Sequence, residues 1–223
     1  MLSVALMLSL AACGQDSNSN TSASETSSGT EADTSGASAS ADTEYKDTIH
    51  IAYNAEPETF DPVYGTAIAT RTITKNIYEG LLEIDADYNV QCQLAESYEV
   101  NDDATEYTFY LRQGVMFHNG QEMTADDVVA SLNYYADFKS SVSYFATGSR
   151  FEKVDDYTVR ITFDEPSAMF PYYLCNQTGF AAIMPASVVE AATESGVTEY
   201  IGTGPYMFSE YVSGEYFLLE KYD

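Results

Sequence analysis

Tyr107-Thr-Phe-Tyr-Leu-Arg-Gln-Gly-Val-Met-Phe-His-Asn-Gly-Gln-Glu-Met-Thr-Ala-Asp-Asp-Val-Val-Ala-Ser131 reads as strand, turn, loop and capped helix in immediate succession. Tyr107, Phe109 and Leu111 alternate with Thr108, Tyr110 and Arg112, the period of a strand with one buried face. Gly114 and the pair Asn119-Gly120 tolerate positive φ, so the chain can reverse within a short span. Thr124 is a helix cap. Asp127, three residues on, can accept a bond from the cap amide, and its charge favours the positive helix end. Val128, Leu132 and Tyr135 then give the helix one apolar face.

The same stretch resembles the signature of the extracellular solute-binding proteins, family 5, of oligopeptide and dipeptide ABC transporters. The matching residues are Phe109, Leu111-Arg112, Gly114-Val115, Phe117-His118, Gly120, Thr124-Ala125, Asp127-Val128 and Ser131. Further motifs of that family recur at Phe60-Asp61-Pro62, Tyr78-Glu79-Gly80-Leu81-Leu82, Leu94-Ala95-Glu96-Ser97-Tyr98 and Gly202-Thr203-Gly204-Pro205-Tyr206. Tyr98 stands where the family has Trp. The resemblance runs from Asp47 to Asp223 and covers only the N-terminal part of the family's length, so the chain reads as a fragment. It implies an α/β fold like that of type II periplasmic binding proteins, with a mixed sheet. The chain would carry an incomplete first lobe with a β-rich subdomain inserted at roughly residues 64 to 185.

A chain of 223 residues with 45% hydrophobic content can bury a sizeable core. Its formal charge of −26 repels nucleic acid and anionic lipid headgroups, which argues against a nucleic-acid partner. Nineteen tyrosines and no tryptophan can supply amphipathic binding surface, although strands and half-buried packing account for most of them.

Residues 1–12 are mostly apolar and end in Leu10-Ala11-Ala12 before Cys13-Gly14. The run is too short for a permanent transmembrane helix, and small residues before a Cys mark a processed export signal. It resembles a bacterial lipobox, which implies lipidation of Cys13 after cleavage behind Ala12, although no Lys or Arg precedes the apolar run. Several acyl chains on one residue hold a protein stably on a membrane. Residues 13–46 continue in Ser, Thr, Ala, Gly and acidic residues, too polar to offset the entropy of ordering, and read as a disordered tether. Such a tether spans about 30 Å end to end.

Residues 47–223 are the foldable part. Ile49, Ile51 and Tyr53 alternate as in a strand, which Pro57 and Pro62 terminate. Ile73, Ile77 and Leu81 suggest a helix stopped at Gly80. Phe151 to Val154 and Tyr157 to Phe163 form a hairpin turning at Asp155-Asp156. Ala186 to Ser195 is a helix closed by Gly196. Strands follow at Tyr206 to Tyr211 and Tyr216 to Glu220. The glycines of Gly202-Thr203-Gly204 permit close backbone approach; no Lys-Ser/Thr accompanies them as a phosphate cradle requires.

Catalytic chemistry finds little support. His50 and His118 lie in no metal-ligand spacing, and His118 reads as a loop residue bonding local backbone. Asp126-Asp127 and Asp155-Asp156 are explained by a cap and a turn, and no Gly-x-Ser-x-Gly nucleophile elbow is present. Cys92 and Cys175 read as free, buried thiols, although export would permit a disulfide. The expectation is a protein that is no enzyme, takes no cofactor and holds no metal.

The family resemblance implies the substrate-binding component of an ABC importer, exported and held at the outer face of the cytoplasmic membrane through Cys13, or on the periplasmic side where an outer membrane exists. Its partners would be a peptide ligand and the permease subunits, with the protein itself a monomer. The segment matching the family's peptide-pairing strand is Asn54-Ala55-Glu56-Pro57. Relatives that bind nickel complexes, haem or oligosaccharides leave a second reading open, and a surface peptide sensor or adhesin a third. A hydrolase is a fourth, which requires turnover of a peptide or ester.

Overall fold

The computed structural model describes residues 47–65, 67–138, 148–175 and 181–222. The chain divides into two units, residues 1–49 and residues 50–223. Within the first, Asp47 to Ile49 form no strand or helix, and Ile49 is exposed. The second holds the described secondary structure. The lipobox and tether lie outside the described residues.

The quoted stretch folds as its pattern dictates. Strand β4 (Glu106–Leu111) buries Tyr107, Phe109 and Leu111 and leaves Tyr110 on the opposite face. It sits inside a four-stranded antiparallel sheet with β3 (Ala95–Val100), β5 (Arg150–Asp155) and β6 (Thr158–Thr162), in the order β3-β4-β6-β5. Phe109 pairs with Val159 and Tyr107 with Ile161, so the apolar residues of neighbouring strands share one face. The β5–β6 hairpin turns at Asp155-Asp156 as expected, with the Tyr157 amide bonded to the Asp155 carboxylate at 2.9 Å. Gly114 and Gly120 adopt φ of +72° and +79°, the left-handed values their turns require.

Helix α2 (Ala125–Asp137) covers the apolar face of this sheet with Val128, Leu132 and Tyr135. The Thr124 amide donates to the Asp127 carboxylate at 2.8 Å, the reciprocal half of a capping box. Asp127 is itself buried, and its other oxygen accepts the Ala186 amide at 2.8 Å, which ties the start of α4 (Ala186–Glu190) to the start of α2. Ser131 makes a second tie, donating to the Met184 carbonyl at 3.1 Å and accepting the Met184 amide at 2.9 Å.

A second apolar cluster gathers Phe60, Ile73, Ile77, Tyr78, Ala182, Met184, Val188 and Val197. The antiparallel ribbon of β7 (Tyr206–Val212) and β8 (Tyr216–Lys221) packs Phe208, Phe217 and Leu219 against it. A short hairpin, β1 (Leu82–Ile84) with β2 (Val90–Cys92), and the single turn α3 (Phe170–Tyr173) complete the described elements after α1 (Ile68–Thr74).

Expectations are corrected at three elements. The alternating Ile49-Ile51-Tyr53 stretch forms no strand; Ile51 is 69% exposed and no described segment pairs with it. Alternation states which face could be buried, whereas a ladder needs a neighbour. The helix expected to run to Gly80 ends at Thr74. Thr72, Thr74 and Asn76 donate their side chains to the carbonyls of Ile68, Thr70 and Thr72, and the Asn76 and Ile77 amides shift to partners three residues back. Such back-bonding weakens continued α-helix. Gly80 is needed for close approach, since a Cβ there would lie 2.7 Å from the Leu174 carbonyl oxygen. The helix expected up to Ser195 stops at Glu190, and Thr193 bridges Gly196 in a turn instead.

Leu82 is flanked by Cys92 on one side and Cys175 on the other. Two inter-strand spacings put the two cysteine Cα atoms about 9.5 Å apart, beyond the reach of a disulfide, and both are free. Cys175 is fully buried, its Sγ donates to the Pro171 carbonyl, and burial pushes its thiol up to about 11. In native protein, iodoacetamide should alkylate the half-buried Cys92 well before Cys175. Denaturation without reductant should expose both to alkylation; a Cys92–Cys175 crosslinked peptide in the digest would refute the geometry.

Candidate functional site

The family motifs converge although they are far apart in sequence. The His118 amide donates to the Gly202 carbonyl at 2.9 Å, the Gly202 amide reaches His118 Nδ1 at 3.3 Å, and His118 Nε2 lies 2.8 Å from the Gly204 carbonyl. An accepting Nδ1 and a donating Nε2 fit one neutral tautomer. His118 is therefore a loop residue as expected, but it bonds backbone 84 to 86 residues away rather than locally. The Gly204 amide donates to Ile77 O and the Tyr206 amide to Asn76 O. Glu79 accepts the Thr203 hydroxyl at 2.8 Å and a Gln93 amide proton at 3.2 Å, and burial holds its carboxyl above the usual range.

Burial lowers the pKa of His118. Its protonation would cost the Gly202 contact an acceptor. A depressed folded pKa means that stability is fully present above the unfolded value of about 6.5 and is lost as pH falls through the folded pKa. The drop in melting temperature between pH 7 and pH 5 should be smaller in His118→Gln than in wild type. Equal drops would exclude this linkage.

Asp61 anchors the second node. This fully buried carboxylate accepts the Val63 amide at 2.7 Å, the Tyr64 amide at 3.2 Å, the Tyr134 hydroxyl at 2.8 Å and the Val197 amide at 2.8 Å. Burial and then the Asp61 bond push the Tyr134 hydroxyl upward. Tyr135 donates to Pro62 O at 3.1 Å, so the Phe60-Asp61-Pro62 turn is fixed to α2.

The ligand segment expected at Asn54-Ala55-Glu56-Pro57 lies apart from these nodes. Asn54, Ala55 and Glu56 are exposed and Pro57 is buried. The backbone from His50 to Glu56 makes no hydrogen bond to another described residue. Its side chains touch the ribbon: the Tyr53 and Phe217 rings meet edge-on at 5.7 Å, and Glu56 accepts the Tyr211 hydroxyl, the Ser213 hydroxyl at 2.7 Å and the Gly214 amide at 3.0 Å. These bonds, that of Tyr211 foremost, hold the Glu56 carboxyl below its ordinary range. Downstream, Phe60 packs among Tyr200, Phe208, Tyr211 and Phe217. Tyr211, Ser213 and Gly214 were invisible to sequence reasoning, because the contacts span 155 to 158 residues and no local pattern announces them. Among the described residues no group of three His, Cys, Asp or Glu side chains could hold a metal, and no helix is long and apolar enough to cross a membrane.

A family model described as bacterial extracellular solute-binding proteins, family 5 Middle, matches residues 89–223. Glutathione-binding protein GsiB of Escherichia coli (strain K12) is 29% identical over 180 residues, which cover 79% of this chain and 35% of that protein. The binding protein AgaA from A. tumefaciens R10, solved in complex with agropinic acid, superposes with TM-score 0.66 at 32% identity over 74% of this chain and 34% of its own. The periplasmic binding protein DppA from Helicobacter pylori, solved with the peptide STSA, superposes with TM-score 0.62 at 27% identity over 75% of this chain and 38% of its own. The chain thus spans about a third of the length of these relatives. The α/β fold expected from the sequence, that of type II periplasmic binding proteins, is shared with these solved structures in part.

Proposed function

Since the chain belongs to the bacterial extracellular solute-binding proteins, family 5, we propose that the whole protein captures peptides outside the cytoplasm and delivers them to an ABC permease, without catalysis. The observation that carries this reading is the exposed backbone from Tyr53 to Glu56, which bends at Asn54-Ala55, its polar groups unpaired among the described residues and its side chains fastened to the β7–β8 ribbon. Open main-chain groups of this kind can hold a peptide by main-chain bonds regardless of its side chains, as in strand addition. Asn54 and Ala55 lead this contact, with Glu56 and Pro57 closing the segment. The peptide in the DppA structure and the glutathione of GsiB support the peptide class.

In this reading Cys13 carries the lipid anchor, residues 13–46 are the tether, and residues 47–223 belong to the first lobe, with the inserted subdomain near residues 64 to 185. The protein acts as a monomer and closes by a hinge over its ligand. Agropinic acid in the structure at 32% identity favours a second reading, a small non-peptide solute. Mass spectrometry of ligands that co-purify with the full-length protein separates the two. Peptides bound saturably in calorimetry and recovered intact support the proposal, and turnover of the bound peptide would overturn it.

A further inference from the structure

We infer that Glu56 is a positioning residue: its carboxylate clamps the candidate ligand segment onto the β7–β8 turn and leaves the backbone of Asn54 and Ala55 open to a ligand. The inference rests on the ligand reading above for its purpose, and on geometry for its substance. One oxygen, Glu56 Oε1, accepts three donors from the end of β7 and the turn that follows it: the Tyr211 hydroxyl, Ser213 Oγ at 2.7 Å and the Gly214 amide at 3.0 Å. Gly214 takes φ of +76°, the left-handed turn conformation. Glu56 is exposed, but an oxygen with three donors is already satisfied by the ribbon, so it is a poor contact for a ligand.

The clamp sits between two aromatic anchors. Tyr53 lies edge-on to Phe217 at 5.7 Å, and Phe60 lies 4.8 Å from Phe208 and 5.2 Å from Tyr211 between ring centroids. All three fastenings run through side chains to the same ribbon. None uses the main chain of Tyr53 to Glu56, which bonds no other described residue. A strand-adding ligand gains most from an edge already stiff before it arrives, because ordering the edge during binding would consume part of the interaction energy. The device therefore provides rigidity without occupying the polar groups a peptide would use.

Tyr211 is the titratable group in direct contact with Glu56, and its hydroxyl is pushed up by that contact. The other carboxylates of the ribbon are differently engaged or exposed: Glu210 accepts the Tyr216 hydroxyl at 2.7 Å, Glu220 accepts the Ser209 hydroxyl at 2.9 Å, and Glu215 lies exposed on the turn.

The test is 15N relaxation on the full, ligand-free chain, comparing wild type with Glu56→Ala, Glu56→Gln, Ser213→Ala and the control Glu58→Gln. In wild type the amides of Tyr53 to Glu56 should have order parameters near those of rigid backbone, about 0.85. Glu56→Ala should drop them below about 0.6, while amides of β4 and α2 and the melting temperature stay unchanged. Glu56→Gln retains an acceptor oxygen and should restore part of the order; Ser213→Ala, which removes a donor from the opposite side, should lose part of it. The Gly214 amide proton should move upfield in Glu56→Ala, the signature of a lost carboxylate bond. Wild-type order retained in Glu56→Ala, or the same loss in Glu58→Gln, would overturn the clamp. Because no ligand is present, that result strikes the clamp alone. A co-purified ligand that shifts amides elsewhere and leaves those of Tyr53 to Glu56 unmoved strikes the ligand reading alone.

Discussion

Asp61→Ala should destabilise the protein by about 4 kcal/mol, the scale seen when one partner is removed from a buried, hydrogen-bonded charge. The carboxylate is fully buried and accepts four donors, so its loss strands the Val63, Tyr64 and Val197 amides and the Tyr134 hydroxyl together. Three of these belong to different parts of the chain: the turn after Phe60, helix α2, and the loop after α4. Water entering the vacated space could rescue one or two donors, which keeps the estimate below the sum of four separate losses. Asp61→Asn should do nearly as badly, because its amide group presents donors where donors already point. Tyr134→Phe removes a single bond and should cost only about 1 kcal/mol. Urea unfolding followed by circular dichroism measures all three. A midpoint shift for Asp61→Ala no larger than that for Tyr134→Phe would show that the carboxylate is not the common anchor. With typical domains stable by only about 5–15 kcal/mol, the expected loss is a large share of the total.

The contrast between Asp127 and Asp61 shows what the sequence discloses. Asp127 is three residues from Thr124 and just before an apolar helical face, so its cap bond could be read locally, and the 2.8 Å contact with the Thr124 amide matches that reading. Its second bond, to Ala186, could not, because nothing near Asp127 points to a residue 59 positions on. Asp61 was legible only as part of a proline turn; its partners at positions 134 and 197 are a matter of tertiary packing. The same limit explains the ligand segment. Alternation and the prolines that follow suggested a strand from Ile49 to Tyr53, whereas the lack of a described pairing partner could not be read, since pairing is set by a distant neighbour. Glu56 looked like a ligand contact by its place in a motif. Its three donors at the end of β7 and the turn after it direct that residue towards the ribbon.

Gly202→Ala should be severely destabilising, with a loss of about 3 kcal/mol or more from overpacking and broken bonds combined. A Cβ there would lie 2.2 Å from the Ile77 carbonyl oxygen, 2.9 Å from its carbon and 2.8 Å from Tyr78 Cδ1. Backbone cannot swing aside as the end of a flexible side chain can, and Tyr78 is itself fully buried. Relief would have to come from moving the Gly202–Gly204 loop away from Ile77. That movement breaks the Gly204 amide bond to Ile77 O and both backbone contacts with His118. The sequence reading of close backbone approach at this motif is therefore met at both glycines, since a Cβ on Gly204 would lie 2.6 Å from Asn76 O. At Gly114, by contrast, a Cβ meets nothing within 4 Å, and only its φ of +72° opposes alanine. Gly114→Ala should cost only about 1 kcal/mol. If thermal unfolding ranks the two substitutions equally, the loop is free to retreat from Ile77 and the tight contact is not what the glycine provides. If Gly202→Ala is far worse and His118→Gln partly mimics it, the two motifs act as one junction between the sheet's loop and the ribbon.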